Sequence, residues 1–252
     1  MKNQSSLYSF LTIQADTALI NGQRLGEWCG HGPVLEQDIA MTNIALDCIG
    51  RARLLYQYAC TMDSRFKDED EMAYLRNEME YKNLLLAEQP NGHFGVTIAR
   101  QFFLDAFHLP FYEALCESKD EKLAAIAAKS VKELAYHYRW SSEWVVRLGD
   151  GTPESHARMQ EGIDEMFAFT GEMFEATGDE SILTEGGIIP ALELIMQNWQ
   201  TRVSQTLQQA TLIEPKAGWM QSGGKKGVHS EHLGHILSEL QYMQRVYPGL
   251  EW

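Results

Sequence analysis

Residues 22–53 read GQRLGEWCGHGPVLEQDIAMTNIALDCIGRAR. The run closes one helix, turns on Cys29-Gly30-His31-Gly32-Pro33 and opens a second helix. Glycine adopts backbone angles that other residues avoid, and proline cannot continue a helix, so this is strong punctuation. A turn this short makes the two helices antiparallel neighbours. Upstream, Leu7, Phe10, Leu11, Ala15, Ala18, Leu19, Leu25 and Trp28 recur at helical spacing over 7–28, with Gly22 a weak point inside the run. Downstream, Leu35, Ile39, Thr42, Leu46 and Ile49 fall on one face of a long helix over 35–62, continued by Leu54, Leu55 and Tyr58.

The rest of the chain reads the same way. A charged connection at 67–71 leads to a third helix over 71–88, stopped by Pro90-Asn91-Gly92. A fourth, over 93–117, carries Phe94, Phe102, Phe103, Phe107, Phe111 and Tyr112, most simply as core, and Pro110 is expected to kink it. A fifth, over 120–148, opens with acids, as the helix dipole favours, and ends at Gly149-Asp150-Gly151. A sixth spans 153–177. A seventh spans 188–211, with Pro190 near its start. The stretch 215–227 is irregular and Gly-rich, and a last helix runs over 230–246 before Pro248-Gly249. No strand, solenoid repeat or composition shift is visible. The expectation is one all-α domain over 1–252, a bundle of about eight helices.

The 252 residues are enough to bury a substantial core. A formal charge of −14 argues against a nucleic-acid surface, which wants a basic stripe. The four cysteines, Cys29, Cys48, Cys60 and Cys116, are scattered without a C-x-x-C and read as reduced thiols of a cytoplasmic protein. The opening MKNQSSLYSF lacks the apolar core of a signal peptide, and no apolar run approaches the ~20 residues that span a membrane.

Bundles that hold two metal ions supply a Glu from each of two helices and Glu-x-x-His from each of two others. This chain offers pieces of that pattern. Glu27 stands near the end of the first helix. On the second, Asp47, Cys48 and Arg51 occupy the depth where Glu-x-x-His is wanted, and a guanidinium cannot bind metal. Asp105 and His108 share a face of the fourth helix, and Glu133 and His137 a face of the fifth, where the residue three before His137 is Leu134. The plain reading is a set of satisfied polar residues in a bundle interior, with no metal site. Arg51 would then replace metal charge if Glu27 and Asp105 faced the bundle centre; otherwise it reaches to the surface.

A second cluster is Ser222-Gly223-Gly224-Lys225-Lys226-Gly227-Val228-His229-Ser230-Glu231-His232-Leu233-Gly234-His235. A basic loop entering a helix N-terminus suits a phosphate or a partner surface, which makes Lys225, Lys226, His229 and His232 the candidate contacts. The Walker A spacing is absent, no cysteine accompanies the three histidines, and Ser230 is expected to cap the helix. The aromatic tail 241–252 is expected to dock on the body or on another chain.

Several segments carry a family resemblance: QRLGEWCGH-P (23–33), NIALD--G-AR (43–53), NLLL-EQPNG-F--TIARQ (83–101), AKSVKE--YH (128–137) and GGKKG-H-EHLG----E-QY-QRV-PG--W (223–252). They resemble the C-subunit family of phenylacetyl-CoA 1,2-epoxidase, a multicomponent bacterial monooxygenase of aerobic phenylacetate breakdown, over nearly the whole chain. The resemblance implies a ferritin-like helical bundle with additional helices. It implies a non-catalytic structural subunit, with no cofactor of its own, beside a catalytic subunit that holds the diiron centre. Further epoxidase subunits, including a reductase, would be partners, and a homodimer of the lone chain stays open. Against the catalytic subunit's pattern, Cys48, Arg51, Leu134 and His137 stand where two Glu-x-x-His pairs fall, and Glu27 and Asp105 where carboxylates are expected. Two other functions remain in view. One is a metal-dependent oxidase using Asp105, His108, Glu133 and His137. The other is a CoA-binding module with Lys225 and Lys226 on the CoA phosphates.

Overall fold

The structure, a computed structural model, describes residues 2–216 and 218–250. The described residues form eleven α-helices and no strand: α1 (Lys2–Gly26), α2 (Leu35–Cys60), α3 (Glu69–Tyr74), α4 (Leu85–Glu88), α5 (Phe94–Leu115), α6 (Glu121–Gly149), α7 (Pro153–Phe167), α8 (Gly178–Glu185), α9 (Leu192–Gln209), α10 (Glu231–Leu240) and α11 (Tyr242–Val246). Chain contacts divide them into two compact units, Met1–Gln89 with Gly223–Trp252, and Pro90–Ser222. The last two residues of the tail, and Ala217, lie outside the described residues.

The first unit is built on the α1–α2 hairpin that the GHGP turn predicts. Gly22 is the point of close approach rather than a weak point. A Cβ there would sit 3.1 Å from the Ala45 carbonyl oxygen and 3.3 Å from the Cys48 Cβ. The face of α2 turned inward is mostly small, with Ala40, Ala45, Ala52 and Ala59 among Met41, Ile44, Cys48 and Leu55. Most of the apolar stripe that identifies the helix in the sequence points the other way: Leu35, Ile39 and Leu46 are exposed, while Ile49 stands at the edge with its Cγ1 against Gly22.

The single helix expected over 71–88 is not formed. The segment is α3, a 3-10 turn at Glu78–Glu80, an extended run and the one-turn α4. The reason lies in where its backbone hydrogen bonds go. The Lys82 amide donates to Asp16 Oδ2 at 2.7 Å and the Leu84 amide to Thr17 Oγ1 at 3.1 Å, so alternate N–H groups are used on side chains of α1. Asn77 and Glu80 form a capping box that starts the 3-10 turn. The last predicted helix is also two. Gln241 ends α10, and its side-chain amide donates to the Arg76 carbonyl at 2.9 Å before α11 begins.

In the second unit α5 is buried at every position from Gly95 to Tyr112, and it runs through Pro110 as one helix. Packed along it, α6 buries Leu123, Ile126, Ala127, Ser130, Leu134, His137, Ser141 and Val145, a continuous helical stripe. At Gly162 a Cβ would lie 2.7 Å from the Gly95 carbonyl oxygen, so glycine sets the close α5–α7 crossing. The helix expected over 153–177 ends at Phe167; a 3-10 turn at Gly171–Phe174 follows, and Thr177 and Glu180 form a capping box that opens α8. Likewise α9 starts at Leu192, after Pro190 rather than before it. Trp199 of α9 donates its indole N–H to the Phe103 carbonyl at 3.1 Å, within a ring cluster of Phe103, Phe167 and Phe174.

Candidate functional site

The candidate residues fall in both units. In the first unit Glu27 lies just past the end of α1, exposed and paired with Arg24 at 2.8 Å. The condition under which Arg51 would answer the Glu27 charge in a bundle centre is therefore not met at Glu27, which is exposed. Asp47 is half-buried on α2. Cys48 is buried, and its sulfur lies 3.7 Å from Asn21 Nδ2 and 3.8 Å from Arg51 Nη2. Arg51 is 3% exposed, so it does not reach to the surface. The inner face of α2 thus carries a thiol and a guanidinium, the latter unable to bind metal.

In the second unit the Asp105 carboxylate is buried and held on both oxygens. Gln101 Nε2 donates to Oδ1 at 2.7 Å, and Ser141 Oγ of α6 donates to Oδ2 at 2.8 Å. His108 and His137 are buried, and Leu134, one turn before His137, is fully buried and apolar. Two neutral donors on one carboxylate satisfy a buried acceptor well. With an apolar Leu134 in place of a carboxylate, these helices do not fit a dinuclear centre of the carboxylate type. Among the described residues, no three His, Cys, Asp or Glu side chains form a group able to hold a metal ion.

The basic loop is placed differently from its sequence reading. Lys225 is buried and only Lys226 is exposed, so the two ammonium groups are not displayed together. Gly227 has φ +79°, and a Cβ there would meet the Met79 carbonyl oxygen at 2.4 Å, so the loop is pressed onto the 3-10 turn. His229 donates from Nδ1 to Glu88 Oε2 and from Nε2 to the Tyr81 carbonyl, both at 2.8 Å. Ser230 stands at the N-cap of α10, but its hydroxyl and amide both go to Glu88 Oε1, at 2.8 and 2.7 Å. His232 is half-buried and His235 exposed.

Glu88, which the sequence presents only as the last residue of the third helix, is therefore one hub of the unit. It is fully buried and also accepts from Asn83 Nδ2 at 2.8 Å. Arg24 donates to its backbone carbonyl through Nε and Nη2 at 3.1 and 2.8 Å. Both partners of the His229 ring are acceptors, so both nitrogens carry protons. Burial acts to lower the His229 pKa, but the bonds to Glu88 and Tyr81 outweigh it and leave the pKa raised.

A second hub is Asp16 with Arg76, both buried. Arg76 Nη1 and Nη2 reach Asp16 Oδ2 and Oδ1 at 3.0 and 2.5 Å, and Tyr56 OH donates to Oδ1. Burial works against the Arg76 charge, yet Asp16 holds its pKa well above the ordinary value. Burial, followed by the Asp16 charge, pushes the Tyr56 phenol well up. Arg76 is thus the centre of a buried ion-pair network in the first unit. One signal for it stands in the sequence: Asp16 is a lone charge inside the apolar run of α1.

Comparison with known proteins gives two matches. The model of the family described as phenylacetic acid catabolic protein matches residues 1–252. The C subunit of the 1,2-phenylacetyl-CoA epoxidase of Escherichia coli (strain K12) is 46% identical over 250 residues, covering 99% of this chain and 100% of that one.

Proposed function

The chain belongs to the phenylacetic acid catabolic protein family, whose fold is ferritin-like and helical, and from that premise we propose that it is a non-catalytic structural subunit of a phenylacetyl-CoA 1,2-epoxidase. Its partner is the catalytic subunit that carries the diiron centre, with a reductase and further subunits completing a cytoplasmic assembly. The relation along the full length to the C subunit of an epoxidase supports the assignment to the complex. One observation carries the non-catalytic role: the buried side chains at two positions of the expected ligand pattern are Arg51, a guanidinium, and Leu134, an alkyl group, and neither can bind a metal ion. Metal ligands on helices need packing support from groups that do not touch the metal, and the packed α1–α2 and α5–α6 pairs offer surfaces for that purpose.

The oxidase alternative would need Asp105, His108, Glu133 and His137 to converge on one ion, and among the described residues no three His, Cys, Asp or Glu side chains form such a group. The CoA-binding alternative would need Lys225 and Lys226 on one accessible face, and Lys225 is buried. No helix of the described residues is long and apolar enough to cross a membrane.

Reconstitution tests the reading. Oxygen-dependent turnover of phenylacetyl-CoA should require this chain together with the catalytic subunit. Asp105→Asn in this chain should leave turnover within about twofold, as for a residue away from the chemistry. A loss of ~100-fold or more with the complex still assembled would place Asp105 in catalysis and overturn the reading.

A further inference from the structure

We propose that the outward face of α2 seats one amphipathic helix of another, folded subunit, a helix with basic residues along its rim. This deepens the subunit reading above and rests on it. The stripe Leu35, Ile39, Thr42, Leu46, Ile49 advances by 4, 3, 4 and 3 residues. Leu35, Ile39 and Leu46 are 72%, 52% and 60% exposed, and Ile49, 37% exposed, closes the stripe at its edge with Cγ1 against Gly22 of α1. An apolar repeat averaging 3.5 residues matches a second helix laid lengthwise at a crossing of ~20°, with side chains set into the spaces of the facing helix. The stripe runs for ~21 Å at ~1.5 Å per residue. The opposite side of α2 is already buried by Ala40, Met41, Ile44, Ala45, Cys48 and Leu55. The helix therefore has two apolar faces, and its own fold uses one.

Gly50 points the same way. It stands four residues after Leu46 and beside Ile49, in the interior of a helix, where glycine is unfavourable. At Gly22 and Gly162 the neighbouring backbone explains the missing side chain, whereas a Cβ on Gly50 would meet nothing within 4 Å. Within the chain the position has no packing reason to be glycine. A partner backbone approaching over Leu46–Gly50 supplies one.

Charge selects the partner. Glu36, Asp38 and Asp47 flank the stripe, and Arg53 is tied to Glu69 at 3.0 Å. With the chain at −14, a second copy would bring acid against acid. A basic rim complements this face. One helix seam also covers less than the ~800 Å² per partner of a stable interface, so the helix is part of a folded subunit with further contacts.

The test uses Leu46→Asp and Gly50→Arg in the full chain, with the purified catalytic epoxidase subunit as probe in sedimentation velocity. Both side chains would project into solvent in the lone chain, so melting temperatures should stay within ~2 °C of the parent. Binding should weaken ~100-fold for each variant. If the parent binds and both variants bind as tightly, the α2 seat is wrong while the subunit reading stands. If the lone chain sediments as a dimer that Leu46→Asp dissociates, the occupant is a second copy and the proposal falls. If the parent binds no epoxidase subunit at all, the subunit reading itself fails.

Discussion

Glu88→Ala should lower the unfolding free energy by about 3–5 kcal/mol, the usual cost of breaking a buried, charged hydrogen-bonded pair from one side. The fully buried carboxylate accepts from Asn83, His229 and both the amide and hydroxyl of Ser230. Its loss removes the main group that holds the His229 proton against burial, so the imidazole is left neutral with the Tyr81 carbonyl as its remaining hydrogen-bond partner, and Asn83 and Ser230 lose a buried acceptor. It also frees the start of α10 from the first unit's α4. Glu88→Gln keeps the shape and one acceptor, and should cost less, about 1.5–3 kcal/mol. Urea unfolding at neutral pH reads both. The same contacts predict a pH dependence. Because the folded state binds the His229 proton more tightly than the unfolded state, the contribution is complete below the ordinary value of 6.5 and is lost as pH rises through the raised folded value. His229→Gln removes the titration, so its stability should fall less steeply above that pH than the parent's. Parallel profiles would contradict the assigned protonation.

Arg76→Ala should be comparably severe, about 3–5 kcal/mol by melting or urea titration. The substitution leaves the buried Asp16 carboxylate with Tyr56 and the Lys82 amide but without a counter-charge. It also orphans the carbonyls of Met72 and Glu80, which Arg76 Nε and Nη1 satisfy. Arg76→Lys should recover little. One ammonium cannot match two forked bonds to Asp16, and it loses the planar stack over Tyr81 at 4.2 Å. A lysine variant within about 0.5 kcal/mol of the parent would show that charge alone matters there.

These hubs contrast with the parts of the fold that the sequence pattern reveals. The α1–α2 hairpin is legible because its cause is local: the GHGP turn and two periodic apolar runs. The 71–88 segment is not, because its conformation is set by Asp16 and Thr17, more than sixty residues away, which take the amides of Lys82 and Leu84. Periodicity finds α2 but says nothing of which surface covers the stripe, and the inner face of alanines carries a weaker signal than the outer one of leucines and isoleucines. Lys225 and His229 look like a solvent-facing basic loop until Gly227 is seen against the Met79 carbonyl. Asp105 could be named from spacing with His108, but its donors Gln101 and Ser141 are ordinary residues with no motif.

The central claim is that this chain supports a metal centre without holding one. Its most direct test is the iron content of the purified lone chain after anaerobic loading with ferrous iron and desalting. The account predicts near-zero iron per chain, with iron appearing only when the catalytic partner is present. About two tightly held irons in the lone chain, the complement of a full carboxylate-bridged site, would contradict it.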